Sequence, residues 1–140
     1  MVANGYVKTY RANAVLTASP GQLVLMLFDG ALKAMALARV AFDRPEGDPR
    51  RIETIHRNLM KVQAILDELQ ATLDKEKGGE FAATMDKLYD YYRRRIIEAN
   101  LKKNAEPLDE VEKFLNEIRS AWAEMLRKEE GARLEGATRA

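Results

Sequence analysis

The chain has no cysteine and a single histidine among its 140 residues, and these two shortages exclude whole classes of chemistry. Without cysteine there is no disulfide framework, no thiolate zinc site and no thiol nucleophile. With His56 alone, a metal cage built on several imidazoles cannot be assembled. An excess of charge is missing too: 23 basic and 22 acidic residues leave a formal net charge of +1. That balance supplies no drive toward DNA, RNA or an anionic membrane. No stretch alternates with period two, none is rich in β-branched residues, and there are no internal repeats. The beginning, MVANGYVKTYRANAV, lacks a basic region followed by an apolar one, so no secretory signal is expected and the chain reads as cytosolic. The stretch from Leu23 to Phe42 has the length of a membrane span, but Asp29, Lys33 and Arg39 interrupt it at high cost, so no membrane insertion is expected.

What is present is helical punctuation. In TASPGQLVLMLFDG, Ser19 stands at an N-cap, Pro20 at the first helical position and Gln22 where it can reach back to the cap. The first helix then runs to Phe42, where DRPEGDPR stops it. A second, from about Arg50 to Leu73, carries Ile52, Ile55, Leu59, Val62, Leu66, Leu69 and Leu73 at alternating gaps of three and four, the seam of helices packed lengthwise. Gly78 and Gly79 break the chain before a third, from about Glu80 to Lys103, with Phe81, Met85, Leu88, Tyr92, Ile96 and Ala99 on one face. After NAEP, a fourth runs to about Lys128 with Leu108, Val111, Leu115, Ile118, Trp122 and Met125 in register. Short connections between four comparable helices predict an all-α, antiparallel up-down four-helix bundle over residues 19–128. Residues 1–18 form an apolar N-terminal arm, and residues 129–140, rich in glycine and mixed charge, a flexible C-terminal tail.

The candidate chemical motifs each fall short. Glu53-Thr54-Ile55-His56 has half the pattern of a di-iron bundle, but the second half needs another histidine, and Ile55 in the seam turns His56 toward the flank. A serine triad would need the same His56, and its candidates are Ser19, a cap, and Ser120, mid-helix. Gly78-Gly79 has no phosphate-gripping Lys-Ser/Thr after it. Arg93-Arg94-Arg95 fans around a helix and cannot make one patch. Asp29 and Lys33 are spaced as an ion pair on a wet face. No catalytic residue, metal, cofactor, small-molecule substrate or nucleic-acid partner is expected; the chain is not read as an enzyme.

The first helix carries more apolar surface than one core face uses. At about 100° per residue, Leu23, Leu27, Ala31, Ala34, Ala38 and Phe42 make a core stripe. Leu25, Phe28, Leu32 and Met35 make a second, beside or behind it. Two readings stand: bundle neighbours cover both stripes, or the second lines a partner-binding groove that the apolar arm covers when it is vacant.

The residues just quoted carry a resemblance. TASPGQLVLMLFDGAL, behind a tyrosine-bearing arm, is similar to the Thr-Ala-Ser-Pro run, ending in Met-Leu-Tyr-Asp-Gly-Ala, of the flagellin-specific secretion chaperones, the FliS family. LDKEKGGEFA resembles that family's Leu-Asp to Gly-Gly-Glu connection, LYDYYRRRIIEAN its Leu-Tyr-x-Tyr to Ala-Asn helix, and Arg119-Ser120-Ala121-Trp122 its Arg-x-Ala-Trp. Phe28 departs from the usual tyrosine, and Tyr92 from the usual methionine. The resemblance implies a cytosolic four-helix bundle that holds the disordered C-terminal region of flagellin, prevents premature polymerisation and delivers it to the flagellar type III export gate. The partner-binding residues expected from it, together with the second stripe, are Tyr6, Tyr10, Leu25, Phe28, Leu32 and Met35. The alternative is a self-associating helical scaffold with no flagellin client.

Overall fold

The computed structural model describes residues 18–139, with side chains to residue 137. They form four helices: α1 (Pro20–Phe42), α2 (Pro49–Ala71), α3 (Lys75–Lys102) and α4 (Glu106–Arg139). No strand occurs among the described residues. α1 packs on α2 and α4, α2 on α3, and α3 on α4, which closes a four-helix bundle. Cross-helix contacts give its direction: Gln70 reaches Asp86 and Asp90, while His56, earlier in α2, lies beside Asn100 near the end of α3. Likewise Arg39, late in α1, meets Asp109 and Glu112 early in α4, and Gly21 meets Trp122. Neighbours therefore run antiparallel, as the short connections predict.

The helix starts follow from local chemistry. Ser19 Oγ accepts from Gln22 N at 3.2 Å while Ser19 N donates to Gln22 Oε1 at 3.1 Å, a reciprocal cap with Pro20 behind it. Asp48 caps α2 through Arg50 N, and Asp74 caps α3 through the Glu76 and Lys77 amides. The glycine break predicted before Glu80 is a kink inside α3: Gly79 has φ 53 and ψ −131 between a first turn and the long run that follows. At the far end α4 continues to Arg139 instead of stopping near Lys128. The Arg133–Glu130 pair lies on this extension, and its Ala, Arg, Leu and Glu residues are good helix formers.

The core is one cluster joining all four helices. α1 contributes Ala31, Ala34, Ala38 and Ala41, all buried, and such small residues let neighbouring axes approach closely. It also contributes Phe28 and Met35, at 1% and 0% exposure, whereas Leu23, placed by periodicity on the core stripe, is exposed. The buried arc of α1 is thus rotated from expectation toward the Phe28–Met35 ridge, because both α2 and α4 cover it. Three seam residues also lie further out than predicted: Ile52 and Phe81 are exposed near the starts of α2 and α3, and Met125, well inside α4, is exposed beside the first turn of α1, where fewer neighbours remain. Tyr89 and Phe114 fill the core in edge-to-face contact, and Tyr92 stacks on Phe114 at 4.0 Å.

Candidate functional site

At the bundle end where residue 18 enters α1, the helices leave apolar space between them. One cavity of about 370 Å³ is lined by Val24, Phe28, Phe81, Met85, Tyr89 and Trp122, with Asp74 and Lys77 at its edge. A second, of about 530 Å³, shares Val24, Thr72 and Trp122 with it and extends over Leu23, Leu27, Met125 and Leu126. Together they make a groove running from the α2–α3 connection to the first turn of α1.

Each wall has a local cause. Trp122 Nε1 donates to the Gly21 carbonyl at 2.8 Å, so the indole is pinned to the first turn of α1 with its ring half-buried between the cavities. Gly21 also leaves room for Leu126, since a Cβ there would stand 2.5 Å from Leu126 Cδ2. On the opposite wall the Gly79 kink turns the capped first turn of α3 away from the long run, leaving Phe81 69% exposed at the lip. Gly78 lies close over Ala82, where a Cβ would meet the Ala82 Cβ at 2.6 Å. Burial pushes the Tyr89 hydroxyl up to about 12, so it stays neutral across the physiological range. The lining can grip apolar side chains, and its charged members are Asp74 and Lys77 in the first cavity and Glu129 in the second.

The predicted site residues part company here. Phe28 lines the first cavity from within the core. Leu25 is half-buried on the other flank of α1, beside Ser19, Gln22 and Leu126 in a more polar hollow. Leu32 is half-buried against the core, and Met35 is fully buried inside it, so Met35 is a packing residue and not a surface contact. Tyr6 and Tyr10, with the arm up to residue 17, lie outside the described residues. The groove residues that periodicity missed are Leu23, Phe81, Met125 and Leu126. The signal available for Leu23 and Phe81 was position: one lies in the first turn of α1 and the other beside a glycine pair, where a core seam runs out of neighbours, whereas Met125 and Leu126 lie well inside α4 and carried no such mark.

The other motifs resolve into structure. Asp29 pairs with Arg119 of α4 at 2.7 Å, so the predicted Asp29–Lys33 pair is replaced by a tie between helices. The arginine run fans out as expected. Arg93 Nε stands 2.6 Å from Asp67 as a charge contact without hydrogen-bond geometry, while its other nitrogens bond Gln70 and Asp90. Arg95 bridges Glu98 and Glu110. His56 is exposed, with Nδ1 3.0 Å from Asn100 Nδ2. No group of three or more acidic, histidine or cysteine side chains is placed to hold a metal among the described residues. No described helix is long and apolar enough to cross a membrane.

Fold and groove together define a class: a helical bundle that keeps apolar space open at one end. The particular kinship comes from comparison with known proteins. The family model described as "Flagellar protein FliS" matches residues 2–129. The chain is 41% identical over 121 residues to the flagellar secretion chaperone FliS of Salmonella typhimurium, covering 86% of each chain. It is 38% identical over 128 residues to that of Bacillus subtilis, covering 91% of this chain and 90% of the relative. With the flagellar secretion chaperone FliSB of Pseudomonas aeruginosa it shares 36% over 108 residues, 77% and 82% of the two chains. The chain belongs to the FliS family of flagellar secretion chaperones.

Proposed function

We propose that this protein is a cytosolic, non-enzymatic chaperone for flagellin. It holds the disordered C-terminal region of flagellin in the bundle-end groove, prevents premature polymerisation and delivers the subunit to the flagellar type III export apparatus. The observation that carries this reading is the continuous apolar groove at the end of the bundle where the N-terminal arm enters. A segment that is unstructured when free can fold its apolar anchors into such a groove. Covering half-exposed side chains such as Leu23, Phe81 and Met125 contributes about 1–2 kcal/mol gross each. Ordering the client takes back several kcal/mol, which keeps the complex reversible, as handover without hydrolysis requires.

Residues 1–18 serve as the cover of the vacant groove, with Tyr6 and Tyr10 as its aromatic anchors, and the client displaces them. Phe28 forms the floor, Leu25 offers a contact on the other flank of α1, and Leu32 and Met35 act by holding the floor in place. Co-purification tests the reading. Flagellin is expected to form a one-to-one complex that Phe81→Asp weakens at least tenfold and that deletion of flagellin's C-terminal segment abolishes. A chain that sediments as a stable oligomer and ignores flagellin would be a self-associating scaffold instead.

A further inference from the structure

Where the chain enters α1, a hollow of about 710 Å³ opens beside the groove and shares Leu126 and Glu129 with it. Ala18, Ser19, Gln22 and Leu25 form one side, and α4 the other, from Ala123 to Arg133. Most of its polar groups already have partners. Ser19 and Gln22 bond each other, Arg127 pairs with Glu124, and Arg133 with Glu130. What remains is an apolar strip of Leu25, Ala123 and Leu126, all half-buried, and the Glu129 carboxylate, which has no ion pair among the described residues. No helix of the bundle closes the hollow: from Arg127 to residue 137 every side chain of α4 is exposed.

Connectivity names the occupant. Ala18 is itself part of the wall, so the residues just before it cannot leave the mouth of the hollow. A chain advances at most about 3.6 Å per residue, which holds Leu16 within about 7 Å of Ala18 and Val15 within about 11 Å. These are two large apolar side chains whose alternative to the Leu25–Leu126 strip is water. Charge agrees in sign, since residues 1–17 carry Lys8 and Arg11 and no acidic residue. Arg11, the cation nearer to Ala18, reaches up to about 25 Å, more than the roughly 15 Å that α4 spans from Ala123 to Arg133. A separate molecule offering the same groups would bear the entropic cost of association, from which a tethered segment is largely spared.

We propose that Arg11–Thr17 of the arm is seated in this hollow, with Val15 and Leu16 over Leu25 and Leu126 and Arg11 beside Glu129. The arm is thereby divided into a fixed foot and a remainder, bearing Tyr6 and Tyr10, that alone covers and uncovers the groove. The movement of that remainder rests on the flagellin reading; the foot does not, and its test contains no flagellin. Because the chain has no cysteine, two introduced thiols report on one pair of positions at a time. In full-length Ala14→Cys with Ala123→Cys, mild oxidation is expected to close an intramolecular disulfide about tenfold faster than in Ala14→Cys with Met125→Cys, whose second thiol lines the groove from nearly the same level of α4. Adding Leu16→Asp should slow the first closure about tenfold. Adding Glu129→Lys should slow it about threefold, and Arg11→Glu should then restore it. The α4 positions are half-buried or exposed, so helical circular dichroism should remain unchanged. Equal rates for the two thiol pairs, or a first closure indifferent to Leu16→Asp or to Glu129→Lys, overturns the proposal, because a tether without a seat behaves that way. So does a disulfide formed between chains, since the hollow would then hold the arm of a second copy.

Discussion

Gly79 shows how much one backbone position can decide. Its φ of 53 with ψ of −131 is a conformation that a side chain strongly disfavours, and it sets the angle at which Phe81 leaves the first turn of α3. Gly79→Ala is expected to cost about 1–3 kcal/mol in urea unfolding, although no neighbour stands within 4 Å to clash with the new methyl. Met35 and Phe81 make a contrasting pair. Met35→Ala should lose about 2–5 kcal/mol, because a fully buried side chain leaves a cavity behind. Phe81→Ala should leave the urea midpoint nearly unchanged, because most of the ring already meets water. A large stability loss from Phe81→Ala would return that ring to the core and remove it from the groove.

At the scale of the element, α1 is the helix whose packing tolerates least enlargement. Its four buried alanines set how near α2 approaches, and Ala34→Leu is expected to overpack that contact by about 1–3 kcal/mol in thermal or chemical unfolding. The same helix marks the boundary of what the sequence makes legible. Its start, end and cap were readable because Ser19, Pro20 and the proline-rich stop act through local backbone chemistry. Its orientation was not: where two flanks are both apolar, periodicity measures the width of the buried arc and leaves its direction undetermined. That direction depends on α4, which brings Asp29 to Arg119 and Gly21 to Trp122, contacts about a hundred residues apart in sequence. The length of α4 was underestimated for another reason. Glycine and mixed charge after Lys128 suggest a flexible tail, yet among strong helix formers Gly131 and Gly136 each cost only about 1 kcal/mol. The groove was half legible: Phe28 was found through its stripe, while Phe81 and Met125 looked like core because the seam gives no sign of where its neighbours end.

At the scale of the molecule, the near balance of charge hides carboxylates held in their ionised form. Asp90 is kept below its ordinary value by hydrogen bonds from Gln70 and then Arg93, Glu98 by Lys102 and Arg95, and Glu124 by Arg127. A folded-state value below the unfolded one contributes stability that is fully present above the unfolded value and disappears as pH falls through the folded one. The thermal midpoint should therefore decline as pH drops from about 5 toward 3, and Asp90→Asn should flatten that decline while lowering the midpoint at neutral pH. The proposed arm belongs to this scale as well. Deleting residues 1–16 should raise ANS fluorescence while the helical circular dichroism persists, and no rise would mean that the groove needs no cover. Trp122 bears on the same question in a different way. It is the chain's single tryptophan, and it stands where the two cavities meet, anchored by its nitrogen to the first turn of α1. Whatever enters the groove replaces water around that ring, so the colour of its emission follows occupancy, bluer when filled and redder when vacant. The protein thus carries its own optical gauge, one that reads loading and release in real time without a label.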